Sequence, residues 1–294
     1  MAHPSRVSLV AAFAAVYVIW GSTYLAISWG VAEIPPFIMA AGRFLGAGLV
    51  FVAWAVHRGA ARPTARDWLM TGCIGLLMAA GGNGLVSWGL QRVPSGVGAL
   101  LVSMVPLWVT LADWLRPGGA RPRGRAALGL GLGFTGVALL VNPADIAGPH
   151  AFDTVGAGTI IVASLLWASG SICARYAPQP ASQALSSGMQ MLGGGAVLVG
   201  MSALSGELAG LDWSAVSPAA FGAWGYVAVL GSVAYGSYLW LLKVAPPAKV
   251  ATYAYVNPVI ALLLGYLLAG EVLSLWSLGC STVIVAGVLL VVSR

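Results

Sequence analysis

The chain has 294 residues, of which 59% are hydrophobic and only 7% charged, with a mean hydropathy of +0.90. A soluble domain needs roughly a quarter of its residues charged, so lipid is the solvent this composition fits; 40 Gly and 16 Pro agree, since membrane helices carry more of both. The formal charge of +6 comes from scarce acids rather than basic runs, which argues against a nucleic-acid partner.

A spanning helix needs about 20 apolar residues. In chain order ten segments qualify, near 8–29, 36–56, 68–90, 94–115, 125–141, 155–174, 183–204, 218–242, 248–269 and 273–292. The first follows a short polar start with His3 and Arg6, and without a small-residue cleavage site after it the segment is expected to stay as a helix. In the second, Arg43 is a basic residue well inside a span; it pairs either with a substrate carboxylate or with Glu33 or backbone carbonyls. In the third, Asn83 lies in a tract of Gly81, Gly82 and Gly84, where its amide needs a partner, either a ligand or a neighbouring helix. Pro106 in the fourth and Pro258 in the ninth each remove an N–H and free a carbonyl, on Val102 and Ala254; either alone reads equally as an ordinary packing kink, and their matched positions favour hinges or cavity lining. Tyr235 and Tyr238 share a face of the eighth with Trp224 and Gly231, and Tyr253, Tyr255 and Asn257 precede Pro258. Trp20 and Trp167 fall mid-span, away from the interfaces where Trp is usually enriched. For each aromatic the rival to a binding role is ordinary core packing. Asp113, late in the fourth span, reads as a local ion-pair partner of the nearby arginines.

Charge orients these segments. On one side fall Arg6, Arg58, Arg62, Arg66, Arg116, Arg121, Arg123, Arg125, Arg175, Lys243, Lys249 and Arg294, 12 of the 14 basic residues. The opposite loops hold Glu33, Asp145, Asp153, Glu207, Asp212 and Glu271. By the excess of Lys and Arg on cytoplasmic loops, both termini are expected in the cytoplasm.

The two halves, 1–146 and 147–294, repeat one another. Trp20, Gly21 and Ser22 match Trp167, Ala168 and Ser169; Leu45 to Gly48 matches Leu192 to Gly195, placing Arg43 opposite Gln190. At a constant offset of 152, Trp88, Leu90, Pro94, Ala99 and Pro106 match Trp240, Leu242, Pro246, Ala251 and Pro258, and Asn83 falls opposite Tyr235. Gly136 to Val141 matches Gly287 to Val292. Five spans per half is an odd number, so the copies are expected to lie inverted in the bilayer, the architecture of alternating access.

The sequence resembles the drug/metabolite transporter superfamily, in its EamA-type ten-helix branch. The resemblance rests on Trp20, Gly21, Ser22 and Thr23, on the Pro106 and Pro258 helices, on Gly270 and Glu271 after the ninth span, and on the Gly-Val endings of the fifth and tenth. One departure stands out: the family usually has a second Gly-Glu after its fourth helix, where this chain has Arg116, Pro117, Gly118 and Gly119. That weakens a paired acidic gate but not the fold. The similarity to bacterial aromatic-amino-acid exporters implies export of amphipathic metabolites across the inner membrane.

The expected class is therefore an all-α, multi-pass inner-membrane transporter, with a small-molecule substrate and membrane lipid as partners; a monomer suffices for transport. Trp20, Asn83, Trp167, Tyr235, Tyr238 and Tyr253 are the substrate-binding candidates, Arg43 the possible carboxylate partner, and Pro106 and Pro258 the hinges. Catalysis lacks a motif: there is no HExxH or Walker lysine loop, and neither a cofactor nor a metal is called for. Cation or drug efflux is the alternative substrate class, and it would want an accessible buried acid. No acid falls near mid-depth, so export down the substrate's own gradient, without obligatory proton exchange, is expected.

Overall fold

The computed structural model describes residues 5–115, 121–140, 153–245, 247–272 and 274–292, with backbone alone at 247 and 248. The Arg116 to Gly119 stretch, Pro246, Val141, Asp145, His3, His150, Arg294 and the expected boundary between 146 and 147 lie outside these residues.

Ten apolar helices account for most of the described chain. They are α1 Arg6–Val31, α2 Pro36–His57, α3 Ala65–Gly89, α4 Ser95–Leu115, α5 Arg125–Leu140, α6 Thr154–Tyr176, α7 Gln183–Leu204, α8 Pro218–Val244, α9 Tyr253–Ala269 and α10 Leu275–Val292. Eight are long and apolar enough to cross a bilayer; α5 and α9, with 16 and 17 residues, are shorter. No strand occurs among the described residues. Two starts differ from the sequence reading by three residues or more. Helix α3 begins three residues early because Thr64 and Asp67 form a reciprocal capping box. Helix α9 begins late, at Tyr253, after a separate turn of helix, Pro247–Val250. It ends where Gly270 takes a φ of 65°, a left-handed conformation that favours glycine.

The helices pack with an exchange symmetry. Helix α2 packs on α7 and α5 on α10, each on its own repeat mate; the α1–α8 contact corresponds to α3–α6, α2–α8 to α3–α7, and α1–α9 to α4–α6. Two of these seams close backbone to backbone. A Cβ added to Gly194 would lie 2.5 Å from the Gly75 carbonyl oxygen, and one on Gly287 would lie 2.7 Å from that of Gly129. In lipid, where apolar side chains gain little by leaving solvent, such close approach is what dispersion needs to hold helices together. Large apolar side chains such as Leu49, Val162 and Leu267 point outward, as a lipid-facing surface requires.

One end of the bundle is stitched together across the two halves. Helices α2 and α4 start after Pro35 and Pro94, which offer no capping side chain. Their free N–H groups are capped from the other half. Phe37 and Ile38 donate to the Glu207 carboxylate at 3.3 and 3.0 Å, and Ser95 and Gly96 donate to Glu271 at 2.8 and 3.1 Å. Glu33 in turn accepts from the Ser217 N–H (2.6 Å) and hydroxyl (2.8 Å) at the start of α8. Arg92 and Asp153 approach at 3.8 Å. A carboxylate at a helix N-terminus satisfies orphan donors and the helix dipole together. Each of these contacts joins the end of one helix to the start of another, so neighbouring helices run antiparallel.

Candidate functional site

Two irregularities in the backbone shape the centre. In α1 the stretch Ala15–Ile19, and in α3 the stretch Leu76–Gly84, wind as π-helix. Each adds a residue to its turn and re-aims the side chains beyond it. The first delivers Trp20; the second carries Asn83, whose Nδ2 donates to the Met78 carbonyl at 3.1 Å. Gly-rich sequence permits the second, and neither was legible beforehand.

Around them lies a cavity of about 50 Å³, lined by Trp20, Thr23, Tyr24, Asn83, Val102, Ser164, Trp167 and Tyr253 with smaller apolar neighbours. Four of the six candidate binding residues therefore share one wall. Trp20 and Trp167, the matched pair, meet edge to face with centroids 5.3 Å apart. Tyr238 packs on both at 5.1 and 5.4 Å and on Tyr253 at 5.5 Å. Its hydroxyl pairs with that of Ser171 at 2.9 Å. Tyr238 and Tyr253 also line a second cavity of about 60 Å³, with Pro106, Ser171 and Arg175 among its other walls. The aromatic cluster is thus the partition between two small voids. A groove of about 620 Å³ opens at the end of the bundle away from the carboxylate caps, lined by Ser8, Phe51, Gln183, Ser237 and Trp240 among others.

The remaining candidates fall elsewhere. Tyr235 lies fully buried behind Trp167, its ring against Phe44 at 5.7 Å and its hydroxyl without a hydrogen-bond partner. Arg43 is also buried, one layer outside the cavity; Nη1 donates to Asn83 Oδ1 at 3.4 Å, the guanidinium lies over the Phe44 ring at 4.5 Å, and Nε finds no partner. Pairing of Arg43 with Glu33 is not found, because Glu33 is spent on Ser217 at the bundle's end. Asn257 is structural: with its amide turned to suit its neighbours, the nitrogen donates to the Tyr17 and Tyr253 carbonyls. Trp224 donates to the Met39 carbonyl at 2.9 Å across the α2–α8 seam. The two prolines differ in setting. Pro106 follows an interruption of α4 at Ser103 and Met104, and Val102, whose carbonyl it frees, lines the cavity. Pro258 sits inside an unbroken α9, and the interruption on that side comes earlier, at Ala251 and Thr252. Thr23, Tyr24 and Ser164 line the cavity and were missed; Tyr24, next to the Trp20 motif, carried the best available signal.

Two interlocked helical halves around a buried aromatic cavity define a two-repeat membrane protein of the transporter class. The EamA-like transporter family matches residues 7–142 and again 154–293, and the chain belongs to that family. The uncharacterized inner membrane transporter YedA of Escherichia coli (strain K12) is 39% identical over 269 residues, 90% of this chain and 84% of YedA. A probable terminal-alkyne amino-acid exporter of Streptantibioticus cattleyicolor is 27% identical over 166 residues, 54% of each chain. A protein of known crystal structure shares the fold, with a TM-score of 0.66, 21% identity and 98% of both chains covered.

Proposed function

We propose that the chain is a secondary transporter exporting small amphipathic metabolites, with aromatic and other hydrophobic amino acids as its main substrates. It acts by alternating access across the inner membrane. All ten helices cross, in inverted repeats 1–146 and 147–294, with both termini cytoplasmic. The observation that carries this is the partition: matched aromatics from exchangeable halves close a central cavity between α1, α3, α4, α6 and α9. Rings with polar edges offer an apolar solute both contact and orientation. A cavity of about 50 Å³ is small for an amino acid, and in this reading loading widens it as the halves part. The antiparallel order and the gathering of Glu33, Arg92, Asp153, Glu207 and Glu271 at one end support the inverted topology. Among the described residues no acid lines either small cavity, which supports movement down the substrate gradient without proton exchange.

Counterflow in reconstituted vesicles tests this. Labelled phenylalanine is expected to exchange against internal phenylalanine at a rate unchanged by imposing or collapsing a pH gradient. Exchange of organic cations with none of amino acids would reverse the substrate assignment. Accumulation driven by a pH gradient alone would reveal a proton carrier.

A further inference from the structure

The buried arginine behind the cavity carries a consequence for substrate chemistry, which rests on the transport site proposed above. We infer that the site recognises a carboxylate through Arg43 and Asn83, that the α-amino group is dispensable, and that aromatic monocarboxylates lacking it are ligands too.

Arginine cannot shed its proton at physiological pH, so a guanidinium at 4% exposure remains a cation. Buried charges are ordinarily paired, and a functional role is the default for an ionisable residue inside a membrane helix. Arg43 forms no ion pair with a described acid. Its contacts are one long hydrogen bond, 3.4 Å, to a neutral amide, and the Phe44 face. Its Nε is unpartnered, as is the hydroxyl of Tyr235 in the same layer. Asn83 is the link to the cavity: it lines the wall and accepts from Arg43 on its far side. A carboxylate beside Asn83 gains a charge-assisted bond once the amide turns aside, a stronger bond than the one it replaces.

The ammonium of an amino acid has no such counterpart. The cavity wall holds Thr23, Asn83 and Ser164 as its non-aromatic polar side chains, and no acid. The aromatic faces attract cations, but the uncompensated charge of Arg43 opposes any cation brought near them. Recognition is therefore asymmetric, by carboxylate and ring.

Three probes separate these groups: phenylalanine, 3-phenylpropionate without the amine, and phenethylamine without the carboxylate. Binding to the purified protein is read by tryptophan fluorescence, independently of flux. Phenylalanine and 3-phenylpropionate are expected to bind within about 10-fold of each other, and phenethylamine at least 10-fold more weakly than 3-phenylpropionate. Asn83→Asp supplies Arg43 with an internal carboxylate in exchange for the bond to the Met78 carbonyl, so the variant is expected to fold and to lose 3-phenylpropionate affinity at least 10-fold. Arg43→Gln is expected to lose it likewise. Equal binding of the amine and the acid, unchanged acid binding in a folded Asn83→Asp, or binding of none of the three would overturn the inference. Selective acid binding without vesicle flux would instead overturn the transport reading and leave the recognition standing.

Discussion

At the scale of single residues, Tyr235 and Tyr238 look alike in sequence and differ in their hydroxyls. Tyr238 pairs with Ser171, whereas the Tyr235 hydroxyl is buried with no partner. A hydrogen bond contributes about 1 kcal/mol net, while a buried unsatisfied hydroxyl costs a desolvation penalty of similar size or larger. Tyr235→Phe is therefore expected to leave thermal stability in detergent unchanged or raised, and Tyr238→Phe to lower it by about 1 kcal/mol. The reverse order would mean that the Tyr235 hydroxyl has a partner, and that the Arg43 layer is better satisfied than its geometry indicates.

At the scale of helices, α7 contains the contrast that best shows what glycine does here. Gly194 faces the α3 backbone, and a Cβ there would meet the Gly75 carbonyl oxygen at 2.5 Å; Gly200, further along the same helix, has nothing within 4 Å. Backbone cannot yield as a flexible side chain can, so Gly194→Ala forces α3 and α7 apart. Overpacking of this kind costs about 1–3 kcal/mol or more. Gly200→Ala is expected to be neutral or to stabilise by up to about 1 kcal/mol, from helix propensity alone. Thermal melts of the two variants check this, and equal effects would show that the α3–α7 seam can repack. The hinges belong to this scale too. Pro106 adjoins a real interruption of α4, whereas Pro258 adjoins none, so the repeat in sequence does not translate into identical bends.

For the whole molecule, the carboxylate caps join the two halves at one end of the bundle, which is the outer end in the proposed topology. Cysteine placed at Asp212 is expected to react with an impermeant maleimide from outside intact cells, and cysteine at Arg62 to stay unlabelled; the opposite result would invert the topology. The caps also set a pH response. Bonds from the Ser217 N–H and hydroxyl hold the Glu33 carboxyl below its ordinary value of 4.5. A depressed folded value means that its contribution is present above pH 4.5 and is lost as pH falls through the lower, folded value. The difference in thermal stability between wild type and Glu33→Gln is therefore expected to hold steady from about pH 7.5 to 5.5 and to shrink only below about 4.5. A difference that fades by about pH 6 would show that Glu33 is not held by Ser217.

The helical membrane class, the near positions of the ten apolar segments, the repeat and the family could all be read along the chain. They could because hydropathy and periodic glycine, proline and tryptophan are properties of local composition that lipid reads directly. Aromatic and amide groups at mid-span are conspicuous in sequence wherever they pack, and four of the six candidates line one cavity. Tertiary structure alone decided which of them meet. Tyr235 and Arg43 stand one layer back from the cavity, against Trp167 and Asn83, a placement set by helices α2 and α8 packing on α3 and α6. Glu33, Glu207 and Glu271 read as outer-loop acids, yet each caps a helix of the opposite repeat. A carboxylate's charge can be read along the chain, but the N–H groups that need it lie between 169 and 184 residues away, where only the folded bundle brings them.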